Sequence, residues 1–495
     1  MKKLLVFYLI SMLIISVSAQ SIEFREHIVE DYIDGPTCYY ICDIDNDGDN
    51  DIAGSCGDAG VVCWWRNEGG DPIVWNLQYI DNDFNGAIYV HAEDIDGDGN
   101  IDVISAAWES NEIAWWKNDG NDPITWTKQT LQDDFHHAHE VDATDIDSDG
   151  NIDIFGVAAA DNEIAWWKNN GEYPIQWTKQ TIVSDFIGAR SVEITDVNGD
   201  GLKDVVGAAL DDDEIAWWEN NGEQPIIWTK HIVTDDFNLA HKVNIYDFND
   251  DNHPDILGAS HQNWINWWEN DGNNPVNWIE HQVTDSFNDA LIAYANDLDF
   301  DGDLDVFGTG FTSDQVSWWE SNGEYPFEWQ EYKIDTDLSH AFGIHYGDLD
   351  GDGDIDIVAG GVDEDVVRWY ENSYYSIKFS ATPLTGHFPL EVTFTDESNF
   401  IDPILTWSWD FDNDGEIDSN EQNPTFTYDE PGTYSVSLIT MTESFLKSIV
   451  YEDYIQVFNG ESALYFAGDG YAMCDATESL NFSNEFTFEA WINPT

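Results

Sequence analysis

Aspartate recurs along this chain in the order D-x-D-x-D-G-x-x-D, or a near copy, opening at Asp43, Asp94, Asp145, Asp196, Asp247, Asp297 and Asp348. Side-chain oxygens at positions 1, 3 and 5, a carboxylate at 9 and a glycine at 6 for the bend make a set of hard oxygen donors on a flexible loop. That chemistry selects calcium over transition metals. The complete sets are Asp43/Asp45/Asp47/Asp51, Asp94/Asp96/Asp98/Asp102, Asp145/Asp147/Asp149/Asp153, Asp297/Asp299/Asp301/Asp305 and Asp348/Asp350/Asp352/Asp356. The fourth copy carries Asn198 in Asp196/Asn198/Asp200/Asp204. The fifth, Asp247/Asn249/Asp251/Asp255, has Asn252 in place of the glycine and is expected to bind most weakly. One such string is explained by a solvated acidic turn; seven in phase are a strong signal. Close carboxylates repel until a cation neutralises them, so up to seven calcium ions are expected, structural rather than catalytic.

Positioning these loops requires a repeated element. The openings fall at intervals of 50 or 51 residues, a period characteristic of repeat architectures. Within one unit, residues 177–183, 191–195, 205–210 and 214–219 read as short strands separated by turn residues, with no helical period and so no EF-hand helices around the loops. Four strands per unit make a propeller blade, and seven units an all-β, seven-bladed β-propeller over residues 21–373. Residues 24–29 match 177–182, whereas the last unit stops after 366–371 without that strand. The N-terminal strand is therefore expected to complete the seventh blade and cover its edge. Paired aromatics recur as Trp64-Trp65, Trp115-Trp116, Trp166-Trp167, Trp217-Trp218, Trp267-Trp268, Trp318-Trp319 and Trp369-Tyr370. Neighbours on a strand point to opposite faces, both of which pack in a blade, so core packing explains these pairs better than sugar-stacking platforms.

Composition bounds the partners. A formal net charge of −83, from 16 Lys+Arg against 99 Asp+Glu, excludes nucleic acid and anionic membrane as partners, because both need basic patches. Disorder is excluded by 42% hydrophobic and 14% aromatic content. Residues 1–19 carry Lys2 and Lys3, an apolar run and Val17-Ser18-Ala19, the pattern of a secretory signal peptide. No other segment is apolar enough to span a membrane, so a secreted or cell-surface protein is expected. Export permits disulfides, and Cys38, Cys42, Cys56 and Cys63 all lie in the first repeat. Either one or two bridges form there, or these thiols fill small core positions.

The acidic loops followed by hydrophobic-Gly strands, such as Asp305-Val-Phe-Gly308 and Asp153-Ile-Phe-Gly156, resemble the FG-GAP or VCBS repeats of integrin-α-like propellers. The resemblance implies calcium between the first two strands of each blade, with adhesion or ligand binding as the function. The departures are the fifth unit and the Trp pairs. Residues 376–458 resemble the PKD domain, an Ig-like β-sandwich, through Trp409-Asp410-Phe411-Asp412, Asn423-Pro424 and Gly432-Thr433-Tyr434. Asp410, Asp412, Asp414 and Asp418 repeat the calcium spacing there and leave an eighth ion open. Residues 462–495 resemble the opening of a LamG-like, concanavalin-like jelly roll, too short to close its sheets; the chain reads as a fragment of a longer protein.

A second constellation is cationic. Of 13 histidines, His91, His136, His137, His139, His241, His340 and His345 fall in or just before the inner strands, with Arg190 and Lys242. In so acidic a chain they gather positive or metal-binding groups at the central channel. The plain reading is polar lining of a wet channel. The functional one is a pocket for an anionic glycan formed by His91, His139, Arg190, His241 and His345. No nucleophile with its base, redox motif or phosphate loop is present in the sequence. The primary expectation is thus a non-enzymatic, calcium-binding protein for cell adhesion or carbohydrate binding, its partner an extracellular glycan or protein. The alternatives are a polysaccharide-degrading lyase or hydrolase, with chemistry at the channel mouth or beyond residue 495, and a purely structural surface protein.

Overall fold

The computed structural model describes residues 22–458, except residues 71, 300, 324, 352–353, 374–376, 378, 399–403 and 442–445, and beyond them Tyr465–Phe466 and Ala472–Met473. The signal peptide expected at 1–19, Asp352 and nearly all of 462–495 lie outside the described residues. The chain divides into two compact units, one ending at Tyr374 and the other beginning at Tyr375.

Seven four-stranded antiparallel sheets make up the first unit, a repetition of propeller type. The third sheet is representative: Ala138–Thr144, Asp153–Ala158, Glu163–Asn169 and Trp177–Val183 lie side by side in chain order. Its second strand is buried along its whole length, and its third, Glu-Ile-Ala-Trp-Trp-Lys-Asn, is buried at four consecutive positions. Strands covered on both faces read as apolar runs, while the half-exposed outer strand tolerates Thr, Lys and Gln. Both members of every aromatic pair are buried; Trp65 and Trp267 are 0% exposed, so no flat sugar platform remains there.

The last sheet takes its fourth strand from the other end of the unit. Glu23–Glu30 pairs antiparallel with Val366–Ser373, Phe24 opposite Asn372 and His27 opposite Trp369. The first strands of successive sheets pack on one another, and Ala341–Gly347 packs on Pro36–Cys42. An interior cavity of about 150 Å³ is lined by first-strand side chains from all seven sheets.

Cys38, Cys42, Cys56 and Cys63 are free thiols. Cys56 and Cys63 are fully buried against Tyr39 and Trp65, the core-filling arrangement rather than the bridged one.

The second unit is a β-sandwich. Phe379–Thr382, Leu390–Asp396 and Thr425–Tyr428 form one sheet; Thr385–His387, Leu446–Phe458, Gly432–Met441 and Thr406–Asp410 form the other. Between them lie Trp409, Phe394, Phe411, Val436 and Leu438.

Candidate metal loops and channel cleft

Each acidic loop connects the first and second strands of a sheet. In the first, Asp43 accepts the Asp47 N–H at 3.1 Å and the Gly48 N–H at 3.0 Å. Asp51 accepts the Ile44 N–H at 3.0 Å and the Asn67 N–H at 2.8 Å, which ties the loop to the third strand. Position 9 likewise accepts the third-strand N–H at Asp102, Asp153, Asp204, Asp255, Asp305 and Asp356, at 2.8 to 3.0 Å. The clamping side chain also reaches a neighbouring unit: Asn118 donates to the Ile44 carbonyl at 3.1 Å, and Asn67 to that of Leu349 at 2.9 Å.

Position 6 demands a left-handed backbone, with φ of +101° at Gly48 and +89° at Gly99. In the fifth loop Asn252 takes φ +65°, a conformation asparagine tolerates better than other non-glycine residues. The loop keeps its form: Asp247 accepts the Asp251 and Asn252 N–H groups at 3.1 and 2.8 Å, and Asn249 accepts the Asp251 N–H at 3.1 Å. In the fourth, Asn198 and Asp196 each accept the Asp200 N–H at 3.0 Å.

The donor sets fit a hard cation. One oxygen each from Asp43, Asp45 and Asp51 lies within 4.8 Å of the others, and the same holds for Asp94/Asp96/Asp102, Asp145/Asp147/Asp153, Asp297/Asp299/Asp305 and Asp348/Asp350/Asp356. Asp45 Oδ1, Asp96 Oδ1, Asp147 Oδ1 and Asp102 Oδ2 are buried without a hydrogen-bond partner, the lone pairs a coordinating cation would take up. Burial pushes the position-9 carboxyls up, to about 7 at Asp51, Asp102, Asp153, Asp204 and Asp255, and to about 9 at Asp305 and Asp356. Burial likewise raises Asp299 to about 7, with Asp301 adding to it.

The loops fall into two electrostatic classes that the repeat spacing alone does not reveal. The residue after each aromatic pair is Arg66, Lys117 or Lys168 in the first three units, and Glu219, Glu269, Glu320 or Glu371 in the rest. Arg66 pairs with Asp45 at 2.7 Å and Asp47 at 3.1 Å. Lys117 pairs with Asp96 and, at 2.6 Å, with Asp98; Lys168 with Asp147 and, at 2.8 Å, with Asp149. Asn198 instead donates to Glu219 at 3.2 Å. Three loops therefore carry an internal cation beside positions 3 and 5, and four carry an extra acid at the equivalent position.

In the second unit, Asp410 accepts the Asp414 and Gly415 N–H groups at 3.2 and 2.8 Å, and Asp418 accepts the Phe411 N–H at 2.8 Å. This is the repeat-loop geometry on a different fold.

The five cleft residues expected from sequence divide between two places. Every first strand has a register shift after its opening residue, a β-bulge that re-aims the side chain there. His139, Arg190 and His241 occupy that position and line an open cleft of about 310 Å³ with Trp108, His261 and Phe342. His91 and His345 lie farther along their strands and line the inner cavity with Glu140, Asp142, Glu193 and Lys242. One pocket containing all five is thus corrected to two, because the bulge and the strand alternation separate the positions.

Their charges also differ from expectation. Burial holds His139 and His241 well below the ordinary histidine value, and burial followed by the nearby His91 brings His345 down to about 3. Burial opposes charge on His91 as well, but Glu93 and Asp142 outweigh it and raise its pKa. In the cleft the positive group is Arg190, its guanidinium 4.7 Å from the Trp108 ring. Trp108 stacks on His137 at 4.1 Å, and Arg190 Nε is buried with no hydrogen-bond partner. His136 and His340 are held by Asp161 at 3.0 Å and Asp363 at 2.7 Å.

Trp108 and His261 were missed because they lie outside the inner strands, on turns after second strands. Superposing repeats reveals them, since they replace Gly57, Ala159, Leu210, Phe311 and Val362 at one register position.

An all-β repeat protein with oxygen-rich, metal-competent loops is the class this fold and these sites define. The FG-GAP-like repeat matches residues 94–156, 145–207, 196–258, 247–308 and 297–359, together more than half of the chain, and the chain belongs to that family. Residues 383–457 match the PKD domain. Both are typical of extracellular adhesion or ligand-binding proteins. No curated protein matches the chain. Among the described residues no helix is long and apolar enough to cross a membrane.

Proposed function

We propose that this is a secreted or cell-surface, non-catalytic binding protein. In this reading the repeats form a closed seven-bladed propeller fastened by up to seven structural calcium ions, residues 376–458 a PKD spacer, and residues 462–495 the opening of a LamG-like module. The ligand is a carboxylate-bearing extracellular glycan or protein segment, held at the cleft. The observation that carries this is Arg190: a guanidinium braced on Trp108, with a buried, unmatched Nε donor, facing a cleft on a chain of net charge −83. An unsatisfied buried guanidinium donor is costly unless a partner arrives, and a carboxylate meets it with charge-assisted bonds. The neutral His139 and His241 supply shape and hydrogen bonding rather than charge.

The test is a glycan array with calcium-loaded, transition-metal-free protein, followed by calorimetry on the best hits. Uronic-acid oligosaccharides are expected among the hits, with binding weakened about 10-fold or more by Arg190→Ala, the scale of a lost charged hydrogen bond. A flat array, or hits indifferent to Arg190→Ala and Trp108→Ala, rejects the cleft as the site.

A further inference from the structure

The geometry points to a second kind of metal site: His139, His241 and His261 together bind one divalent d-block cation, zinc in the first instance, independently of the aspartate loops and of any glycan. His139 and His241 come from the bulges of the third and fifth sheets, and His261 from the turn after the strand Asp255–Ser260. All three line one cleft. The His139 and His241 rings are 5.3 Å apart between centroids at 83°, and the His241 and His261 rings 4.8 Å apart at 85°. A metal about 2.1 Å from an imidazole nitrogen lies roughly 3.2 Å from the ring centre, so two ligands of one tetrahedral metal have centroids about 5 Å apart, the spacing that His241 shows to each of the other two rings.

The hydrogen bonds fix which nitrogen is free. His139 Nδ1 meets the Arg190 carbonyl at 2.9 Å, His241 Nδ1 the Leu291 carbonyl at 2.9 Å, and His261 Nδ1 the Asp289 carboxylate at 2.5 Å. Carbonyls only accept, and an ionised carboxylate does the same, so each Nδ1 carries the proton and each Nε2 keeps its lone pair. Metal-binding histidines are oriented by this outer arrangement, a backbone carbonyl or carboxylate behind the ring. Nitrogen donors of this kind favour zinc and its neighbours over calcium, which prefers oxygen. Asp289 supplies negative charge behind His261, and the Arg190 guanidinium is drawn onto the Trp108 ring.

The experiment uses the full chain, stripped of transition metals and saturated with calcium so that the loops are filled. Zinc titration is expected to show one tight equivalent. Cobalt(II) is expected to give one equivalent of intense visible bands of tetrahedral coordination, unlike the weak spectrum of cobalt on oxygen ligands. Asp289→Asn should weaken zinc about 10-fold, and His241→Ala or His261→Ala about 100-fold or more, while His231→Ala, whose ring stacks on Trp217 and meets Glu219 outside the cleft, leaves it unchanged. No tight equivalent, or one that survives both histidine variants, overturns the site. Should those variants fail to fold, the wild-type cobalt spectrum decides alone: its absence overturns the proposal.

Discussion

Lys242 and Glu140 lie 102 residues apart in the chain and meet at 2.7 Å in the interior, each with a side chain only 3% exposed. Glu193 takes the same ammonium at 2.7 Å, so one cation serves two carboxylates. Burial pushes Glu140 up to about 7 against the pull of Lys242, and Glu193 adds to the rise. Removing the cation alone strands the acids. Lys242→Met is expected to cost about 3–5 kcal/mol in urea unfolding with calcium present, and adding Glu140→Gln and Glu193→Gln should recover most of it. A single variant as stable as the parent would contradict the buried triad.

Calcium and pH are predicted to act in opposite senses. The position-9 aspartates have folded values near 7, and near 9 at Asp305 and Asp356, against about 4 unfolded. Between those limits the folded chain holds more protons than the unfolded one, so stability falls as pH rises through the window. In EGTA the melting temperature should therefore be higher at pH 5 than at pH 8. With millimolar calcium the order should shrink or reverse, since the ion requires ionised ligands. Melts that ignore both calcium and pH count against metal-held loops.

The internal cations are expected to compete with calcium. A unit charge about 4 Å away contributes about 1 kcal/mol in water and about 4 kcal/mol near a protein surface. Lys117→Gln should therefore tighten calcium at the second loop by roughly 5-fold or more. Isothermal titration would register this as a new or stronger class of sites, and unchanged isotherms would show that Lys117 does not occupy the loop.

Gly343 tests the meeting of the first and last sheets. A Cβ there would fall 2.4 Å from the Thr37 carbonyl oxygen and 3.0 Å from the Cys38 Cα. Backbone cannot yield as a flexible side chain does. Gly343→Val is expected to cost about 1–3 kcal/mol or more, the range of overpacked cores. The control is Gly97→Ala, on an open loop with nothing within 4 Å of the added carbon, where only the left-handed φ of +72° opposes the change.

Much of the architecture was legible because copies constrain one another. Seven aspartate strings in phase located the loops, and the match of residues 24–29 to an outer strand anticipated the partner of Val366–Ser373. Cleft membership was harder to read. His91 and His139 both sit on inner strands, yet a bulge beside His139 and three residues of strand phase send them to different cavities. Protonation was hidden as well, because burial decides it and sequence carries no depth. Arg66, Lys117 and Lys168 were in plain register, but their reach to positions 3 and 5 depends on the third strand running beside the loop.

The pairing of Glu23–Glu30 with Val366–Ser373 also sets a timetable. Glu23–Glu30 precedes the other strands of the first unit in the chain, yet it belongs to the last of that unit's seven sheets to be completed, so its hydrogen-bonding partner is made only some 340 residues later in synthesis. Until then that strand is unmatched and, once Val366–Ser373 emerges, its sheet has a bare edge to be covered. Such edges invite pairing with other chains. A chain built this way gains from completing that sheet where few other unfolded chains compete.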